Sequence, residues 1–356
     1  FDASGNRTDS CHISSVFENS DVSARTSPHN GVIILHLARD VNNKSAPLPP
    51  TNVDKIRARG HTARMDGRQT ENTLRSAALT DITFRVARIG LHLYEEPCFS
   101  GENGSGTVFF SGCDMRCPFC QNSEISHDGQ GVNVNGEELL RLFSELEKQG
   151  AENLNLVTPT PWGKRLIPVL KEYKKHGKLP VVWNSNGADA PGLLRGLEGA
   201  VDVWLPDFKY SDAALAAEYG APTDYPDRAR AALREMRRQC PTDVFDSRGM
   251  MTRGVCVRHL VLPGATKNTE GVMREIAAVD KEMYVSVMAQ YFPTPRVAEH
   301  PLLSRRITAE EYDRAVDAFF AAGLKNGFSQ EPDSATEEYV PDFADSIRTL
   351  KRLLGR

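Results

Sequence analysis

The 356-residue chain has no long apolar run. Its longest near-apolar stretch, Gly31 to Ala38, covers eight residues including His36, against the roughly 20 that a membrane helix needs. No membrane association is expected. Excess positive charge is also missing: 43 Lys and Arg stand against 47 Asp and Glu, a net charge of -4. That argues against a chain-wide nucleic-acid footprint. No glycine-rich phosphate loop follows a strand. Gly101-Glu-Asn-Gly-Ser-Gly106 precedes one instead, which is the wrong order for the phosphate fingerprint. Nor is there an even-numbered cysteine framework. Of seven cysteines, Cys113, Cys117 and Cys120 fall within eight residues, while Cys11, Cys98, Cys240 and Cys256 are scattered. Secreted disulfide frameworks are short and usually even-numbered. This pattern therefore points to the cytoplasm or another reducing compartment, and to one metal or redox site. No secretory signal is visible at the start. An organelle-targeting segment stays open, because Arg and Ser are present, although Asp2, Asp9, Glu18 and Asp21 weigh against it.

What is present divides the chain in three. Residues 1–80 are rich in Ser, Asn, Asp, Thr and Arg, carry Pro47, Pro49 and Pro50, and offer only Val32-Ile33-Ile34-Leu35 for burial. They are read as a poorly structured, partly irregular extension. Residues 81–330 alternate short apolar runs with helical periodicity and form the core. Residues 331–356 are read as a C-terminal helical tail. The runs are Thr107–Phe110, Leu154–Val157, Leu179–Trp183, Val201–Leu205, Val255–Leu262 and Met283–Met288. Continuous rather than alternating hydrophobicity suits parallel strands buried on both faces. Between them, Asn135 is a candidate N-cap before Leu139, Leu140, Phe143 and Leu146, with Gly150 as the stop. Thr308 to Glu311 is a capping-box pattern leading into Tyr312, Ala315 and Phe319. Six strand–helix units imply an α/β fold with a parallel sheet, either open and doubly wound or an incomplete barrel. In both, ligands bind at the C-terminal ends of the strands.

The three clustered cysteines follow the first run with the spacing C-x3-C-x2-C, in Gly112-Cys113-Asp-Met-Arg-Cys117-Pro-Phe-Cys120. Three thiolates can hold three irons of a cubane cluster and leave the fourth iron open to another ligand. The alternative is a zinc-stabilised, non-catalytic interaction module. Zinc usually takes four protein ligands, and only one C-x2-C unit is present, so His127, Cys98 or a distant residue would have to join it.

With the aromatic Phe119 before the last cysteine, this loop resembles that of the radical S-adenosylmethionine (SAM) superfamily. The resemblance covers roughly residues 82–330. It implies an incomplete (β/α)6 barrel and a [4Fe-4S] cluster on Cys113, Cys117 and Cys120. It also implies SAM chelating the fourth iron, reductive cleavage to a 5′-deoxyadenosyl radical, and hydrogen abstraction from a substrate. More narrowly, Glu95-Glu96-Pro97, Gly104-Ser-Gly-Thr107, Cys120-Gln-Asn122, Asn155-Leu-Val-Thr-Pro-Thr160, Leu205-Pro-Asp-Phe-Lys-Tyr210 and Arg258-His-Leu-Val-Leu-Pro-Gly264 resemble the pyruvate formate-lyase activating enzyme branch. That branch implies a one-electron donor such as flavodoxin or ferredoxin, and a glycyl radical enzyme as protein substrate.

The other strand ends supply the remaining candidates. Thr158 and Thr160 replace the Gly-Gly-Glu common in the superfamily, and their hydroxyls and neighbouring carbonyls can accept from an ammonium. Asn184 and Ser185 open a turn, Asn184-Ser-Asn-Gly187, that resembles the Asx-Thr-Asn-Gly turn of the activating enzymes. Asp207 and Lys209 lie two apart on an extended segment and face one side. The resemblance places a monovalent cation at Asp207 and the SAM carboxylate near Lys209. Arg258, inside an apolar strand, needs a partner, either that carboxylate or Asp207. His259 points the other way and is read as structural. Gln290 ends the sixth run as a cofactor or substrate contact.

Overall fold

The computed structural model describes residues 79–330 and 341–356 in full, and the backbone of two strands before them, β1 (Val22–Thr26) and β2 (Val32–Leu37). The remaining elements follow in chain order. They are β3 (Thr83–His92), α1 (Pro97–Ser100), β4 (Ser105–Phe110), α2 (Ser123–Ser126), β5 (Val132–Asn135), α3 (Gly136–Lys148), β6 (Leu154–Val157), α4 (Gly163–Tyr173) and β7 (Val181–Ser185). Then come α5 (Pro191–Gly196), β8 (Val203–Pro206), α6 (Ala213–Glu218), α7 (Tyr225–Gln239), β9 (Val244–Phe245), β10 (Met251–Leu260), α8 (Thr266–Val279), β11 (Tyr284–Met288), α9 (Ala309–Ala321), β12 (Asn326–Gln330) and α10 (Phe343–Leu353).

One sheet runs β1-β2-β12-β11-β10-β8-β7-β6-β4-β3-β5, with β9 paired to β10. The strands from β4 through β12 in this path are parallel. All six apolar runs of the sequence are among them, within about two residues at most ends. The sheet is an incomplete parallel barrel in an α/β fold. A seventh parallel strand, β12, was not visible in the pattern because Asn-Gly-Phe-Ser-Gln is largely polar. Strand β3 was missed too. It is antiparallel, mixes Arg85, Arg88 and Gly90 with apolar residues, and shifts register between Val86 and Arg88. The apolar stretch at Val32 forms β2, antiparallel to β12. Apart from β1 and β2, the residues before 79 lie outside the described residues.

The helices begin where their signals stand. Asn135 accepts from Glu138 N while the Glu138 carboxylate accepts from Asn135 N, and Thr308 and Glu311 do the same for α9. These reciprocal caps satisfy backbone donors that would otherwise be unpaired. Helix α3 buries Leu139, Leu142, Phe143 and Leu146, whereas Leu140 is only half-buried.

Two layers result. On the outer face of the strands, Leu154, Leu156, Trp183, Trp204, Val255 and Val257 join the helices in one large apolar cluster. Trp183 and Trp204 are register partners on β7 and β8, edge to face at 6.4 Å. The inner face is filled low down by Val182, Val203, Leu205, Cys256 and Phe328, against which Cys98 and Phe99 of α1 pack. The segment from Glu95 to Phe99 thus enters the barrel as a plug. It is held by the Asn153 side-chain amide donating to Phe99 O at 2.7 Å.

Candidate active site

Above the plug, at the C-terminal ends of the parallel strands, lies a cavity of about 230 Å³. It is walled on one side by the loop after β4. Arg116 folds that loop on itself, its guanidinium donating to Cys113 O at 2.6 Å and Met115 O at 3.0 Å. The loop is clamped from outside by the α6–α7 connection. Arg116 N donates to Gly220 O at 2.8 Å, and a Cβ on Gly220 (φ 75°) would lie 2.2 Å from Arg116 O. Only glycine combines this left-handed conformation with that approach. The neighbouring Tyr219 meets Phe119 edge to face at 6.0 Å.

Cys113, Cys117 and Cys120 all line the cavity, together with Phe119, Thr158, Asn184, Ser185, Asp207, Lys209, Arg258 and Gln290. The structure therefore brings together every candidate except Thr160. That hydroxyl lies at the start of the 3₁₀ turn Thr160–Trp162 and donates to Asp189 at 2.7 Å, away from the cavity. Ser185 lines the cavity, yet its hydroxyl is also committed to Asp189, at 2.5 Å. Thr158 is the only described non-glycine residue with a left-handed backbone, φ 57°. For a β-branched residue this is a real strain, worth on the order of 1–3 kcal/mol and typical of functional sites.

The charges form one connected set. The Arg258 guanidinium donates to Glu95 at 2.8 Å and to Asn184 Oδ1 at 2.7 Å, and meets Asp207 at 3.4 Å. Lys209 Nζ donates to Asp207 at 2.6 Å. Burial opposes the charged form of Asp207, but Lys209 and Arg258 outweigh it and hold the carboxyl below its usual range. Burial pushes the Glu96 carboxyl up, with Arg258 opposing. Tyr225 ties the two strand-end turns together: its hydroxyl donates to Asn186 O at 2.9 Å and accepts from Lys209 N at 2.8 Å. Gly187 (φ 79°) allows this, since a Cβ there would lie 1.8 Å from Asp207 O. His259 is buried on the outer face, between Phe208 O at 2.8 Å and Thr269 Oγ1 at 2.9 Å, and burial lowers its pKa to about 4. Cys98, Cys240 and Cys256 are buried free thiols, and His127 sits on the loop surface near Arg296.

Sequence reasoning did not single out Glu95 as the partner of Arg258, nor Asn186, Ser126, Gly220 and Tyr210 around the cysteines. Consecutive acids before Pro97, ahead of a buried strand, were the available signal for Glu95.

The donor set can be weighed against a cluster with an amino-acid ligand. Among the described residues, no three His, Cys, Asp or Glu side chains converge on one point as a single bound ion requires. The three sulfurs instead share the wall of one cavity, as separate irons of a cluster would need. Beside them stand two cations, Lys209 and Arg258, and several acceptors, suited to a group bearing both a carboxylate and an ammonium. The residues fit.

Residues 107–276 match the radical SAM superfamily. A domain of that superfamily implies a [4Fe-4S] cluster and SAM. The chain is 30% identical over 240 residues to the uncharacterized protein MJ0674 of Methanocaldococcus jannaschii, covering 64% of each. It thus spans about 64% of the length of the curated relative it matches. Among solved structures it is similar to a domain of pyruvate-formate lyase-activating enzyme from Bacteroides vulgatus, with a TM-score of 0.35, 13% identity, and coverage of 49% of this chain and 94% of that one. It is also similar to SuiB from Streptococcus suis bound to its precursor peptide SuiA, with a TM-score of 0.44, 11% identity, and coverage of 87% and 71%. No helix of the described residues is long and apolar enough to cross a membrane.

Proposed function

We propose that this chain is a radical SAM oxidoreductase of the activating-enzyme kind, which takes a hydrogen atom from a backbone glycine of a partner enzyme. The observation that supports it best is the sharing of one cavity by three loop cysteines and the Asp207–Lys209–Arg258–Asn184 set. When bound, a [4Fe-4S] cluster with SAM supplies a 5′-deoxyadenosyl radical on one-electron reduction, and the cofactor carries that chemistry.

The residues of the chain bind and orient. Cys113, Cys117 and Cys120 would hold three irons of the cluster. Lys209 and Arg258 would serve the carboxylate of its ligand. Asn184 and the strained Thr158 backbone would offer acceptors to the ammonium. Asp207 fixes Lys209 and is the position for a monovalent cation. Phe119, Met115, Leu260 and Met288 give the cavity an apolar wall that excludes water, and Gln290, two residues past β11, lines it as a contact for ligand or substrate. A flavodoxin or ferredoxin is the electron donor of this reading.

The test is anaerobic. After iron and sulfide reconstitution and reduction, the protein should release 5′-deoxyadenosine from SAM, and Cys117→Ala should release none. Incubation with candidate glycyl radical enzymes should then give a glycyl radical signal by electron spin resonance. Release of 5′-deoxyadenosine by the Cys117→Ala protein would sink the cluster assignment. An active protein that radicalises no such partner would leave the chemistry and remove the activase role.

A further inference from the structure

Two of the three cysteine sulfurs have hydrogen-bond donors from nearby in the chain or from the turn after β7. Cys113 Sγ accepts from Met115 N at 3.4 Å and faces Asn186 Nδ2 at 3.9 Å. Cys120 Sγ lies 3.2 Å from Ser126 Oγ. Cys117, the most buried of the three, has no such neighbour in its own loop.

What stands against Cys117 is the phenol of Tyr210, which follows Lys209 at the end of β8. Tyr210 is fully buried and gripped edge to face by Tyr219 at 6.1 Å and Tyr225 at 5.5 Å. Its hydroxyl is one of four buried side-chain polar atoms that make no hydrogen bond of ordinary geometry among the described residues. An unpaired buried hydroxyl costs stability, and phenylalanine would fill the same space without that cost. A neutral thiol is a poor acceptor, whereas a metal-bound thiolate is a strong one. The orphaned hydroxyl thus has a partner once the sulfur carries charge.

We propose that Tyr210 donates a hydrogen bond to the cluster-bound sulfur of Cys117 and so raises the reduction potential of the cluster. This rests on the cluster reading above. Reduction adds negative charge that spreads onto the sulfurs, and donors to those sulfurs stabilise the reduced form. The Lys209 ammonium acts on Cys117 in the same sense. With Tyr210 included, each of the three sulfurs has a donor of its own. Tyr210 is a positioning and tuning residue, since it touches the ligand sulfur and not the reacting atoms.

The experiment uses the full chain, reconstituted anaerobically, with Tyr210→Phe compared to the parent. Iron and sulfide content, the visible spectrum and a redox titration followed by electron spin resonance are measured. Thermal melts are run on both proteins before metal is added. Tyr210→Phe should take up the same iron, melt at the same or a higher temperature without metal, and have a lower midpoint potential. A shift of about tenfold in the reduced-to-oxidised ratio corresponds to about 59 mV for one electron. Ser126→Ala, which removes the donor to Cys120, should move the potential in the same direction. An intact cluster with an unchanged midpoint in Tyr210→Phe overturns the proposal and leaves the cluster reading standing. A lower melting temperature for the metal-free variant also overturns it, because the hydroxyl then serves the fold. A parent protein that takes up no iron overturns the cluster reading and the proposal together.

Discussion

The outer and inner faces of the same strands are built on different principles. Outside, Leu156, Trp183, Trp204 and Val257 are packed against helices, and their only side-chain polar groups are two indoles: Trp183 donates to Asp189 at 3.2 Å, and Trp204 makes no hydrogen bond among the described residues. Inside, the strands turn from apolar below to polar or charged above: Val182 is followed by Asn184, Leu205 by Asp207 and Cys256 by Arg258. Each pair is two residues apart and shares a face. The outer face is stabilised by area removed from water, on the order of 25 cal/mol per Å². The inner face is held by matched charges, in which every buried group depends on its partner. The first tolerates loss in proportion; the second does not.

That contrast can be broken or sharpened by measurement. The largest effect is expected at Arg258→Met, which removes the buried cation facing Glu95 and leaves Asp207 to Lys209 alone, and should cost about 3–5 kcal/mol. Adding Glu95→Gln should restore part of that loss. Urea unfolding of the two single variants and the double variant checks it, and strict additivity would show that the inner face behaves like the outer one. Next comes Leu156→Ala on the outer face, expected to cost about 3 kcal/mol while the folded fraction takes up iron as the parent does. A parallel fall in iron uptake would show the two faces to be coupled. Gly220→Ala should cost about 2 kcal/mol through backbone strain. It should also lower iron uptake, because the new Cβ displaces the backbone of the cysteine loop; iron analysis reads this directly. The smallest effect is with acid. Burial holds both His92 and His259 at a pKa of about 4 against 6.5 when unfolded. The unfolded chain therefore binds protons first, and stability is lost as pH falls from about 6.5 toward 4. Between pH 8 and 6 the loss should be about 1 kcal/mol from His259 alone, seen as a lower urea midpoint.

The same contrast explains what could be read from the chain alone. Outer residues write a continuous apolar run, so six parallel strands were legible. β12 was not, because Asn326 and Ser329 interrupt its run. Cysteine spacing is local and was legible at once. Asp207 and Lys209 were legible because charge at the end of an apolar run is unusual. Glu95, Tyr210 and Gly220 were not, since each owes its place to a contact far away in the chain. Thr160 shows the converse: a hydroxyl at the right strand end, turned by the 3₁₀ turn Thr160–Trp162 toward Asp189.

The bond between Glu95 and Arg258 joins residues 163 apart in sequence. Gln121 reaches Gln290 O across 169 residues, and Thr294 reaches Pro118 O across 176. Closing such loops costs entropy that local contacts do not incur, and non-local pairing is slow. As the chain leaves the ribosome, Cys113 to Cys120 are complete well before the charges that face them. The cavity closes only after the last third of the barrel is made. Synthesis thus sets an order of assembly, with the sulfurs presented early to open water and sealed from it late.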